Sequence, residues 1–268
     1  MRWALLALLA ALALPAPAAA QRTISLSGST SALPLVADLA YFYGREHRRA
    51  PRFDLVGGGT MAGLTDTKRR IVDGGMISRA LRPDDPPGLV LTPFALSAVC
   101  LVTNADNPVP GVGRAQMQDL LAGRLTHWSQ VPGSPRTDAI IPVTYAPGAG
   151  ARTVFDSVFV DAATLIAYAP RVFRTAVQVR DFVRATPAAW GYVDAAFRRG
   201  LHTMRYEGVP CTRATVAGGA YPASRPFGIV TRGRPRGELA RFLRWVRTSR
   251  KAKKVIATRY IPLSRSGQ

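Results

Sequence analysis

The sequence predicts an α/β protein built as two lobes. Short apolar segments rich in β-formers alternate with segments of helical periodicity. The loops between them are short, which argues for helices layered on sheet. The 268 residues are also more than one core needs and suit two.

The elements follow in order. Residues 23–27 (TISLS) read as a strand. Residues 34–48 place Leu35, Val36, Leu39, Ala40 and Tyr43 at helical spacing. Residues 53–56 form a strand, 60–72 a helix and 74–77 a strand. Segments 89–94 and 98–103 read as two apolar strands, and 104–110 (NADNPVP) as a turn-rich boundary. A helix is expected at 114–122, a strand at 140–144 and a helix at 152–159. Residues 177–185 look helical and 190–193 extended. A strand at 228–231 precedes an amphipathic helix at 237–248, with Leu239, Phe242, Leu243 and Val246 on one face. The arginines of that helix continue into Arg250, Lys251, Lys253 and Lys254 and read as the solvated face of one C-terminal helix, with Phe242 and Trp245 in the core. No internal repeat is visible.

Residues 1–20 read as a secretory signal peptide. Arg2 supplies the positive start, residues 4–14 an apolar run, and Ala18-Ala19-Ala20 a small-residue cleavage site. That run is far shorter than the roughly 20 residues a membrane span requires. The mature chain then starts at Gln21, exported to a periplasm or beyond the cell.

The formal charge is +20, and of 36 basic residues all but Lys68, Lys251, Lys253 and Lys254 are arginine. Such a balance leaves nucleic acid, anionic lipid and small anions open as partners. Export, and the lack of aromatics interleaved with the charge, set nucleic acid aside. His47, His127 and His202 show no ligand spacing, so neither a metal nor a cofactor is expected. No G-x-S-x-G elbow is present, so no catalytic residue is assigned and the chain is not read as an enzyme. Cys100 and Cys211 form either one disulfide or two separate thiols.

Three glycine-rich turns each join a strand end to a helix start: Gly28-Ser29-Thr30-Ser31, Gly57-Gly58-Gly59-Thr60 and Gly148-Ala149-Gly150-Ala151. A helix N-terminus leaves its first N–H groups without partners and carries the positive end of the dipole, so it favours an anion. One such turn is ordinary capping; three in one chain point to an oxyanion site. None continues into the Gly-Lys-Ser/Thr of a nucleotide P-loop.

These turns carry a resemblance. Gly28-Ser29-Thr30-Ser31-Ala32-Leu33-Pro34 resembles the opening motif of the periplasmic phosphate-binding proteins of ABC transporters. Gly57 to Gly63 resembles the second glycine-rich loop of that family, Asp73 to Arg79 its D-I-G-x-S-S-R segment, and Gly123 to Trp128 its G-x-I-x-N-W. Ala189 to Val193 is similar to its late G-Y-V strand, and Tyr221-Pro222-Ala223-Ser224-Arg225-Pro226 and Tyr260 to Leu263 fit its ending. The resemblance implies a two-lobed periplasmic-binding-protein-like fold, each lobe a mixed sheet flanked by helices, with ligand in the cleft between them. It implies lobe 1 at 21–97 and 223–268, lobe 2 at 98–222, and crossings near 95–103 and 222–229. Carried over by motif, the ligand-binding positions are Ser29, Thr30, Ser31, Gly59, Thr60, Ser78, Tyr145, Gly150, Ala151 and Arg152.

The third loop departs from the family. Where relatives read R-E-x-G-S-G-T-R, this chain reads Tyr145-Ala146-Pro147-Gly148-Ala149-Gly150-Ala151-Arg152. One guanidinium and two hydroxyls are gone, while the N–H groups of Gly150, Ala151 and Arg152 remain. Tyr145 either bonds or stacks on the ligand or fills the space the arginine left. Ser78 stands where some relatives carry a carboxylate that tests for a protonated anion. The expectation is therefore a secreted, monomeric solute-binding protein delivering an inorganic oxyanion, phosphate first, to a membrane ABC permease. The second expectation is a family member with a degraded pocket that serves as a binding or sensory partner of another envelope protein; a phosphoester hydrolase is a weaker third.

Overall fold

A computed structural model describes residues 22–164 and 169–263 of the chain. The predicted signal peptide lies outside the described residues. Among the described residues no helix is long and apolar enough to cross a membrane.

The first unit runs β1 (Thr23–Gly28), α1 (Leu33–Glu46), β2 (Arg52–Gly57), α2 (Thr60–Lys68) and β3 (Gly74–Ile77), followed by the long β4 (Leu89–Asn104). The second runs β5 (Gly111–Val112), α3 (Arg114–Leu121), β6 (Ile141–Tyr145), α4 (Gly150–Phe159), β7 (Arg171–Phe173), α5 (Ala176–Ala185), β8 (Ala189–Asp194), β9 (Leu201–Thr203), β10 (Arg205–Tyr206) and α6 (Arg213–Ala217). The chain ends with β11 (Ser224–Arg232), α7 (Gly237–Thr248), α8 (Arg250–Ala257) and β12 (Ile261–Pro262).

The strands pair in the order β2-β1-β3-β11-β4-β8-β6-β7, with β9 and β12 also on β4. β1 is parallel to β2 and β3, and β6 is parallel to β7 and β8. β11 and β4 run antiparallel through the middle. The first half of β4 pairs only with lobe-1 strands, and Val99–Thr103 pair with β8. β4 and β11 are thus the two strands that join the lobes. Their register shifts between Phe227 and Gly228. A methyl on Gly228 would lie 2.5 Å from Leu91 Cδ1 and 2.6 Å from the Thr92 carbonyl, so the irregularity demands glycine.

Each lobe has its own core. One cluster draws on residues 24–95 and 227–260, including Leu26, Leu39, Phe94, Phe227 and Phe242. Tyr43, Phe53, Phe242 and Trp245 pack edge-on or tilted within it, and the Trp245 indole donates to Glu46 Oε2 at 2.7 Å. The other spans residues 98–223 and centres on Trp128, Phe155, Phe159, Trp190 and Tyr192. A disulfide joins Cys100 of β4 to Cys211 before α6, deciding between the two readings of the cysteines.

Three expectations are corrected. The helix predicted for 60–72 ends at Lys68, because Arg70 turns into the left-handed region at φ 64°. The two strands predicted at 89–94 and 98–103 are one 16-residue strand that changes partners midway. The single Arg-rich C-terminal helix is two, broken at Ser249, whose hydroxyl caps α8 by accepting from the Lys251 and Ala252 N–H groups. Arg241, Arg244, Arg250, Lys253 and Lys254 are exposed along this pair.

Candidate functional site

The three turns singled out in the sequence all lie at the carboxyl ends of strands: β1 leads into Gly28–Ser31, β2 into Gly57–Thr60 and β6 into Tyr145–Ala151. Ser78 follows β3 in the same way. That end of an open α/β sheet is where ligands bind, because helix N-termini converge there.

In lobe 1 the backbone ties the turns together. The Gly58 and Gly59 N–H groups both donate to the Gly28 carbonyl, at 2.8 and 2.9 Å, and Ser29 N–H donates to the Met76 carbonyl at 2.8 Å. Ser29, Ser31, Thr60 and Ser78 are all buried. Thr60 Oγ1 and Ser78 Oγ are 3.3 Å apart, and Ser78 N–H donates to Thr60 Oγ1. Ser29 Oγ accepts from the Ala32 N–H at 3.2 Å, so this hydroxyl serves the turn itself. Thr30 stands at the cleft.

Lobe 2 meets this surface at α4. The Met61 N–H donates across the cleft to the Gly148 carbonyl at 3.2 Å. Gly150 packs directly on the hydroxyl pair, and a methyl there would lie 2.4 Å from Ser78 Oγ and 2.5 Å from Thr60 Oγ1. Gly59 faces the same loop, 3.3 Å from the Gly148 carbonyl by the same measure. The structure therefore brings Thr30, Gly59, Thr60, Ser78 and Gly150 to one place.

Three of the expected residues sit differently. The Ala151 side chain is buried in the lobe-2 core, so only its backbone is available. Arg152 turns back on its own loop, donating to the Tyr145 carbonyl at 2.9 Å and lying 3.5 Å from Asp156. Burial raises the Asp156 pKa against the pull of Arg152. Tyr145 is core: its ring lies 5.3 Å from Tyr192, and burial pushes its phenol well above the ordinary value. Its hydroxyl is buried without a hydrogen-bond partner.

One residue escaped the sequence reading. Arg225 of β11 is 1% exposed, yet it reaches the site, donating from Nη1 to both the carbonyl and the hydroxyl of Ser78 at 3.2 Å. Its Nη2 donates to Asp194 at 2.9 Å, and its guanidinium lies 5.1 Å from the Phe227 ring centre. The only signal was its place in the Tyr221–Pro226 motif; nothing local says that this arginine faces inward. Beside Ser78, Arg79 is held by Asp85 at 2.6 Å.

A cavity of about 440 Å³ lies beside this junction, lined by Thr30, Gly57, Gly58 and Gly59 from lobe 1 and by Ala146, Pro147, Ala149, Arg174 and Thr175 from lobe 2. The histidines are elsewhere, bonded to the Tyr43 carbonyl, Thr126 and the Val109 carbonyl. Among the described residues no group of three or more His, Cys, Asp or Glu is placed to hold a metal.

Two lobes on paired crossing strands, with helix N-termini and hydroxyls meeting in the cleft, define a solute-binding fold. A family model described as a PBP superfamily domain matches residues 14–250, and the chain belongs to that superfamily. Phosphate-binding protein PstS 2 of Streptococcus pneumoniae is 34% identical over 108 residues, 40% of this chain and 37% of the relative. The match thus spans little more than a third of that relative's length. A structure from Clostridium perfringens with bound phosphate, described as that of a phosphate ABC transporter substrate-binding protein, superposes with a TM-score of 0.83 at 22% identity, covering 91% of this chain and 100% of the other. An ABC-type phosphate transport receptor from Vibrio cholerae superposes at 0.69 with 26% identity, covering 89% and 99%. These likenesses fix the two-lobed fold.

Proposed function

We propose that the protein is an exported solute-binding protein that captures an inorganic oxyanion, phosphate first, for an ABC-type importer. The observation that carries this is the convergence of Thr60, Ser78 and the α4 N-terminus at Gly150 on one point of the cleft. Phosphate binding or transport by the Streptococcus, Clostridium and Vibrio proteins supports phosphate as the ion. Thr30, Ser31, Gly59, Thr60 and Ser78 serve from lobe 1, and the N–H groups of Gly150, Ala151 and Arg152 from lobe 2. Ser29 holds its turn, Tyr145 packs in the lobe-2 core behind the third loop, and Arg225, paired with Asp194, orients Ser78.

The lobes comprise residues 21–97 with 223–268, and 98–222; the two separate core clusters support that division. Binding is non-covalent and favours the closed arrangement, because only there do both lobes touch the anion. The protein acts as a monomer in the periplasm, after loss of residues 1–20.

Calorimetry and thermal unfolding of the chain from Gln21, with phosphate, sulfate, molybdate and a panel of carboxylates, test this. The expected result is heat and a raised Tm with phosphate. Neither heat nor stabilisation with any oxyanion rejects it.

A further inference from the structure

We propose that the pocket between β12 and β8, where β4 passes from one lobe to the other, binds a compact polyanion through Arg198, Arg213 and Arg259. The proposal uses the division into lobes but nothing about the cleft ligand, so it stands or falls apart from the oxyanion reading.

The pocket is a gap in the sheet. β12 pairs with β4 as far as Leu96, and β8 takes over at Val99. Between them Ser97 and Ala98 have a strand partner on the β11 side alone. An unpaired stretch of strand edge leaves backbone polar groups facing whatever fills the gap. Both residues line the pocket, which measures about 180 Å³. Ser97 is 3% exposed, and its hydroxyl is buried without a hydrogen-bond partner. The other walls come from both lobes: Arg198 and Arg213 from lobe 2, Arg259 and Tyr260 from lobe 1.

The charge of those walls is the second reason. Three arginines line the pocket and no carboxylate does. None of the three makes an ion pair among the described residues, whereas Arg180 and Arg184 share Asp181 and Arg225 has Asp194. Two of them are held in place by carbonyls. Arg198 Nη1 donates to the Cys211 carbonyl at 2.5 Å, and Arg213 Nη1 reaches from lobe 2 to the Ala257 carbonyl of lobe 1 at 3.0 Å. A carbonyl fixes a guanidinium without neutralising it, and each keeps further N–H donors. Three like charges around one gap repel each other, and an anion between them turns that repulsion into attraction.

Size and charge together set the ligand class. The pocket is smaller than the roughly 300–1,000 Å³ of sites for larger organic ligands, so the ligand is compact. A single carboxylate satisfies one guanidinium fork, whereas three arginines from two lobes suit several anionic oxygens on one small molecule. Inorganic pyrophosphate has that character and serves as the probe.

Calorimetry compares the chain from Gln21 with two variants of equal net charge: R213E/R259E at the pocket, and R234E/R236E on exposed arginines away from it. The expected result is one pyrophosphate bound by wild type and by R234E/R236E, and at least tenfold weaker binding by R213E/R259E. Acetate, with one charge, binds at least tenfold more weakly than pyrophosphate. Phosphate affinity and Tm are expected to match in the two variants, which separates loss of the pocket from loss of the fold. No pyrophosphate binding by wild type overturns the proposal, as does binding that persists in R213E/R259E. An equal loss in both variants also overturns it, because net charge alone then accounts for the binding.

Discussion

Arg225 Nη2 lies 2.9 Å from Asp194 Oδ2, with both side chains sealed from solvent. The pair sits where the lobes join: Arg225 is opposite Ser97 of β4 and Asp194 is opposite Val99. The other arm of Arg225 holds Ser78, so one guanidinium orients a site hydroxyl and meets a carboxylate from the opposite lobe. Removing one partner strands a buried charge, which costs about 3–5 kcal/mol, whereas replacing both by apolar residues is far milder. The expected order of stability in urea is wild type, then R225M/D194L, then D194A alone. The double variant folds yet binds phosphate at least tenfold more weakly, because Ser78 loses its partner. A double variant with wild-type affinity would confine Arg225 to stability alone.

Gly150 is the point at which the lobes close. G150A places a methyl 2.4 Å from Ser78 Oγ, so the neighbours must shift or the cleft must stay ajar. Overpacking of this kind costs about 1–3 kcal/mol, read here as phosphate affinity about tenfold to a hundredfold lower. The stability of the unliganded protein changes less, since opening the lobes relieves the clash. Small-angle scattering of G150A in excess phosphate is expected to keep the larger, open radius.

How much of this was legible depends on range. The alternation of strand and helix and the three turns are local, and the chain wrote them plainly. The long β4 reads as two strands, divided at 95–97, because its halves belong to separate cores and their continuity shows only in the pairing with β11 and β8. Arg225 was illegible because its meaning lies in Asp194, 31 residues upstream, and in the adjacency of β11, β4 and β8. Tyr145 left two readings open; its packing against Tyr192 places the ring in the core. The disulfide spans 111 residues, a distance at which sequence says nothing of proximity.

Asp85 makes the fold sensitive to acid. Burial alone raises its pKa, but the hydrogen bonds and charge of Arg79 and the Arg82 N–H outweigh burial and hold it below its ordinary value. A carboxyl depressed on folding adds stability that is present above its unfolded pKa, about 3.9 for aspartate. That stability is lost as pH falls through the folded value. D85N is therefore expected to lower Tm at pH 7, with the gap to wild type narrowing steadily between about pH 5 and pH 2. A gap independent of pH would mean that the ionised carboxylate contributes nothing.

The disulfide ties the lobe-2 end of β4 to the start of α6. Closing so long a loop is worth about 4–5 kcal/mol in the chain-entropy model, with measured values more often 2–4. C100A/C211A should lose stability in that range, and reductant should lower the wild-type Tm while leaving the variant's unmoved.

Two alanines of the third loop differ in what a restored hydroxyl would do. Ala149 lines the cavity, with space in front of it, whereas Ala151 is packed into the lobe-2 core. A149S gives the anion one more donor at no steric cost. One net hydrogen bond of about 1 kcal/mol is a gain of roughly fivefold in phosphate affinity. A151T instead forces a branched polar group against packed apolar neighbours, so it should lower Tm by several degrees without tightening binding. An A149S variant that binds phosphate no more tightly than wild type would show that the anion does not reach Ala149.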